Sequence, residues 1–356
     1  MPSCIGAGHP IGAASRVPLA ACKPKRPYMT NDETASGTSD FKDRKSGLLV
    51  FGILEILMGA LFALMVPLMI FGTFASAHLN KDAASSINAG TIVPGLLFYC
   101  LLAVWFIWMG IGSIQARRWA RALLLVSSWL WLVSGIMGLV LVSALLPAMY
   151  DQMGKSGKMP QEMIALVKYM TIGFMVIFYV VIPAALVLFY GSKHTKATCE
   201  QRDPRVGWTD ACPLPVLALS LVSGSWALCM PLVGFYGWAV PFFGSVLCGI
   251  AGAGCVMVLA LLSAYVAWGT YRLKIGAWWC AVGLLTIWGV SIGITFSKVG
   301  LMEYYKKMNL PAQQLEMMKQ LAMQQTPWMI LFCEIGVVAA LAYLIYTRRF
   351  FQGHRQ

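Results

Sequence analysis

The feature that most constrains this chain is a series of eight apolar stretches, each about the 20 residues that a helix needs to cross a hydrocarbon core of about 30 Å. They cover residues 48–74, 92–114, 122–146, 171–190, 214–235, 242–268, 278–296 and 328–346, separated by short polar or Gly/Pro-containing breaks. In hydrocarbon every backbone N–H and C=O must find its partner within the protein, so stretches of this length read as helices. The predicted fold class is all-α: a polytopic integral membrane protein with eight transmembrane helices. Composition excludes the alternatives. The chain is 59% hydrophobic and 12% charged, against about 45–50% and 25% in soluble domains, and so much apolar and aromatic side chain is incompatible with a disordered protein. The least distinct division lies between the fifth and sixth stretches, where only residues 236–241 intervene. Gly237 and Pro241 there predict a tight turn, with Trp238 at the membrane interface.

The net charge of +13 has a reading in topology. Loops that stay on the cytoplasmic side retain Lys and Arg. With both termini inside, 19 of the 27 basic residues fall on the inner side and eight on the outer. The chain is therefore expected in the inner (plasma) membrane, multipass, with both termini cytoplasmic. No basic stripe interleaved with aromatics lies outside the apolar stretches, so nucleic acid is not an expected partner. Residues 1–45 are polar and lack a signal-peptide core. Met29 opens a short charged leader, and translation is expected to start there. That start would leave 15 inner basic residues against eight. None of the ten cysteines falls in an outer loop, which argues against a disulfide framework.

An internal duplication organises the rest. Residues 47–191 and 214–347 align as two four-helix units. Gly112 and Ser113 lead into Arg117, Arg118, Trp119 and Arg121; at a constant offset of 157, Gly269 and Thr270 lead into Arg272, Lys274, Trp278 and Trp279. Pro67-Leu68 likewise matches Pro231-Leu232. An even number of spans per unit makes the repeats parallel, related by a pseudo-two-fold along the membrane normal. The expected organisation is a tail (1–45), a first membrane unit (46–191), a polar linker broken by Pro204, Gly207 and Pro213 (192–213), a second unit (214–348) and a short tail (349–356). Short amphipathic helices are expected at 160–168 and 311–325 on the outer interface. Pro67, Pro94, Pro183 and Pro231 predict kinks, and Gly244, Gly249, Gly252 and Gly254 predict a close-packing face on the sixth helix.

Two carboxylates, Glu55 and Glu334, fall inside spans, where a charge is costly and a proton or ion site is the leading functional use. No Lys, Arg or His lies within a span to pair with them, so each is expected to be protonated or hydrogen-bonded to hydroxyls such as Ser220, Ser223 or Tyr179. Arg117, Arg118, Trp119 and Arg121, with Arg272 and Lys274, read as lipid-headgroup anchors. His194, Cys199 and Cys212 share the linker but lack a C-x2-4-C knuckle, so no metal is expected. The sequence has no H-E-x-x-H, G-x-S-x-G or phosphate loop. The expectation is no catalytic residue, no cofactor and no enzymatic activity: a structural or interaction protein of the membrane. Its partners would be the lipid bilayer and other membrane proteins or further copies of itself. The alternative is a small-solute or proton-coupled ion transporter using Glu55 and Glu334.

Overall fold

The computed structural model describes residues 42–79, 89–155, 161–308, 310 and 312–352; the tail before residue 42 and the Met29 start lie outside them. In chain order the elements are α1 (Lys45–Leu79), α2 (Ala89–Ile114) and α3 (Arg118–Lys155), then α4 (Gln161–Val176), which passes through a π-helical segment (Ile177–Val181) into α5 (Ile182–Gly191). The linker carries α6 (Lys193–Arg202) and one 3-10 turn (Trp208–Asp210). The second half comprises α7 (Leu214–Cys229) with a 3-10 extension (Met230–Tyr236), β1 (Val240–Phe242), β2 (Ser245–Leu247), α8 (Gly249–Tyr271), α9 (Ile275–Lys298), α10 (Leu301–Lys307) and α11 (Ala312–Gln352).

Among the described residues, eight helical segments are long and apolar enough to cross a membrane. Their outer faces are apolar too: Leu188, Leu228 and Ile250 are 77%, 81% and 93% exposed. Such a surface is unfavourable in water and satisfied by lipid. The chain is a multipass membrane protein. Its buried cores concentrate at the linker end, one around Leu48, Met109, Leu123 and Tyr190 and another around Val216, Val266, Trp278 and Leu344.

The α1/α2 pair is antiparallel and joined through missing side chains. A Cβ on Gly52 would lie 2.8 Å from the Gly110 carbonyl oxygen, one on Gly110 2.7 Å from that of Gly52, and one on Gly59 3.0 Å from that of Ala103. Without a hydrophobic driving force between helices in lipid, such backbone proximity supplies the dispersion contacts that hold them together.

The α2–α3 and α8–α9 connections are the same turn. Ala116 and Leu273 take left-handed backbone, φ 53° and 54°. The N–H of Ala116 donates to Ser113 C=O (2.8 Å) and that of Arg117 to Gly112 C=O (2.9 Å); Leu273 donates to Thr270 C=O (2.8 Å) and Lys274 to Gly269 C=O (2.8 Å). Both are Schellman caps, which satisfy the last carbonyls of a helix. A Cβ on Gly112 or on Gly269 would run into the Cβ of Ala120 or Ala277 respectively.

Three local expectations are corrected. The tight turn at 236–241 is the start of a larger cap, and the sixth helix begins at Gly249 instead of 242. Its first expected turns form a β-hairpin, with Val240 opposite Leu247 and Phe242 opposite Ser245. Phe243 and Gly244, at φ 42° and 91°, make the two-residue turn with positive φ that matches strand twist. Gly244 therefore belongs to that turn and not to a helix face. The expected amphipathic helices are the outer turns of α4 and α11, continuous with the spans. The linker, expected to be irregular, is helical over α6, where Ser192 Oγ accepts the Thr195 N–H at 3.2 Å as an N-cap.

Pro183 explains the π-helical segment. It has no N–H for the carbonyl of Tyr179, four residues back, and its ring crowds that carbonyl, so the helix takes in an extra residue. The Tyr179 carbonyl pushes toward α3 at Gly135, where a Cβ would collide with it.

Candidate functional site

Glu55 lies three residues after Gly52 and four before Gly59, on the α1 face that meets α2. It is 3% exposed. Its Oε1 is 3.1 Å from the Tyr190 hydroxyl, which comes from the end of α5. That hydroxyl is 2.7 Å from the Ser113 hydroxyl on α2, and Ser113 donates to the Leu48 carbonyl on α1 at 3.0 Å. Three helices thus close on one buried polar chain. The other carboxyl oxygen, Oε2, is buried without a hydrogen-bond partner among the described residues.

The partners are not those expected. Ser220 donates instead to the Ala267 carbonyl at 2.7 Å, tying α7 to α8. Tyr190 stands 135 positions from Glu55, and the sequence carries no local signal for that pairing. Glu334 sits apart, on α11, with Oε1 buried and unpartnered among the described residues. A Cβ on Gly293 of α9 would lie 3.1 Å from that oxygen.

The basic residues at the linker end make protein contacts. Arg118 reaches Glu200 (3.7 Å) and Asp210 (3.5 Å), and Arg117 reaches Asp203 (3.9 Å). Arg121 Nε donates to the Tyr190 carbonyl at 3.1 Å, so the residue that meets Glu55 is also held from its backbone. Trp119 stacks on Trp108 with centroids 4.8 Å apart. In the second half Lys274 lies 4.1 Å and Arg272 5.9 Å from the Trp268 ring centre, a cation–π arrangement. The linker also touches the second half, where Tyr271 donates to the Trp208 carbonyl at 3.0 Å.

No metal-holding group of His, Cys, Asp and Glu occurs among the described residues. Burial pushes the thiols of Cys199 and Cys212 up from 9.0 to about 11, partly offset at Cys199 by Arg121. Since only the thiolate reacts, a variant retaining Cys199 alone is expected to alkylate about a hundredfold more slowly than a free thiol at neutral pH. The gap should close as pH rises toward 11. Equal rates at neutral pH, measured by mass spectrometry, would refute burial of this thiol.

The hairpin end holds a cavity of about 310 Å³ walled by Trp226, Tyr236, Trp288, Phe296 and Tyr304. Tyr304 donates to the Ala239 carbonyl (3.1 Å), while Ser291 and Thr295 accept the N–H groups of Phe243 (3.1 Å) and Gly244 (3.0 Å). These bonds fasten the hairpin over α9. Neither intramembrane carboxylate borders the cavity. The chain matches no protein-family model, no curated protein and no solved structure.

Proposed function

We propose that this protein is a structural or interaction protein of the inner membrane, without enzymatic activity, built as two tandem parallel four-helix units. Both termini and the linker lie on the cytoplasmic side. The observation that carries the role is the placement of Glu55: it is closed between α1, α2 and α5 and bonded within the protein, whereas a transport group needs access to solvent or solute. The matching Schellman turns at an offset of 157 support the duplication. The lopsided basic residues support the sidedness. Partners are the bilayer and other membrane proteins or a second copy of this chain.

One observation favours a second reading. Glu334 Oε1 and Glu55 Oε2 are buried polar atoms without partners among the described residues, the kind of group a transported proton or ion would engage. Reconstitution into vesicles with an imposed pH gradient separates the readings. The structural role predicts proton flux equal to that of protein-free vesicles, unchanged in Glu55→Gln and Glu334→Gln. Flux above that background which either substitution removes would establish the transporter instead.

A further inference from the structure

We infer that Glu55 is a proton-binding site, holding its proton as the donor at the head of a one-way hydrogen-bond chain that ends on the main chain. The argument is a count of protons. Three contacts run in series: Glu55 Oε1 to the Tyr190 hydroxyl at 3.1 Å, that hydroxyl to Ser113 Oγ at 2.7 Å, and Ser113 Oγ to the Leu48 carbonyl oxygen at 3.0 Å. A carbonyl oxygen only accepts, so the last contact uses the single proton of Ser113. The middle contact must then use the single proton of Tyr190. The first is left with none unless Glu55 brings one. An ionised Glu55 would leave one of the three oxygen pairs facing each other without a hydrogen. It would also leave a carboxylate oxygen, Oε2, buried with no donor. Among the described residues no ion pair reaches Glu55, and the nearby Arg121 guanidinium is engaged by the Tyr190 backbone.

The direction Glu55 to Tyr190 to Ser113 to Leu48 has a functional consequence. Its terminus is a main-chain carbonyl, which has no proton of its own to pass on. The chain stores a proton and does not conduct one, and the stored proton pins the C-terminal turn of α5 to the α1/α2 seam. A titratable side chain is thereby turned into a neutral fastener between the first, second and fourth spans.

Infrared difference spectroscopy of the full chain in lipid, at mildly alkaline pH where water-exposed carboxyls are ionised, tests the assignment. In Glu334→Gln, which removes the other intramembrane carboxyl, a protonated-carboxyl C=O band should persist and shift on exchange into D2O. The additional Glu55→Gln substitution should remove it, while the amide, a donor of similar shape, keeps the fold. Absence of the band in Glu334→Gln overturns the inference, as does a band that survives Glu55→Gln. If the double variant is not recovered folded, the Glu334→Gln spectrum alone decides. The band reads protonation and the vesicle assay reads flux, so the inference and the proposed role fail separately.

Discussion

Gly52→Leu and Gly110→Leu are each expected to destabilise the folded protein by about 3 kcal/mol or more, at the upper end of single substitutions. At both positions the atoms that a Cβ would meet include backbone of the facing helix, at 2.7 to 3.1 Å. No rotamer change relieves such a clash, so α1 and α2 must separate. Separation also stretches the Ser113–Leu48 contact, which crosses the same seam. Unfolding in detergent micelles by a denaturing surfactant measures the loss. Gly72→Leu and Gly138→Leu are the controls, because a Cβ at either meets nothing within 4 Å; they should stay within about 0.5 kcal/mol of the parent. Equal behaviour of the two sets would show that α1 and α2 are not joined in this way.

The second large effect is expected at Gly252. A Cβ there would collide with the Trp238 carbonyl and stand 3.2 Å from the Leu247 carbonyl oxygen. Gly252→Val pushes the hairpin off α8 from both sides. The anticipated result is release of the cap: hydrogen exchange at residues 238–247 accelerates by about a hundredfold, corresponding to about 3 kcal/mol of lost local stability. Protection in α1 and α2 should be unchanged. Uniform acceleration over the whole chain would mean that the hairpin is not a separate unit of stability.

The eight spans are legible in sequence because hydropathy averages over about 20 residues and tolerates any local detail. The hairpin is not, because residues 240–247 are as apolar as the helix that follows. Phe243 also occupies a turn position with positive φ where Gly or Asn is the usual marker. Ala116 and Leu273 hide their Schellman turns in the same way, since a helix normally signals such an ending with glycine. Glu55 stands out as a carboxylate in an apolar run, but its partner does not: Tyr190 looks like one more interfacial aromatic until α5 is placed beside α1. Arg117 and Arg118 were readable as basic residues at a span end; their pairing with Asp203, Glu200 and Asp210 depended on the linker folding back over α3.

The extra residue that Pro183 forces into the fourth span acts as a phase adjuster. An α-helix turns by about 100° per residue, so adding one residue without adding a turn re-aims everything beyond it. Residues up to Val176 and residues from Ile182 onward are therefore indexed independently around the bundle. Removing one residue between them would leave the hydropathy of the span intact and swing Tyr190 about a quarter of a turn away from Glu55. The angular register of the last helix of the first unit, more than its length or apolarity, decides whether the buried carboxyl finds its partner.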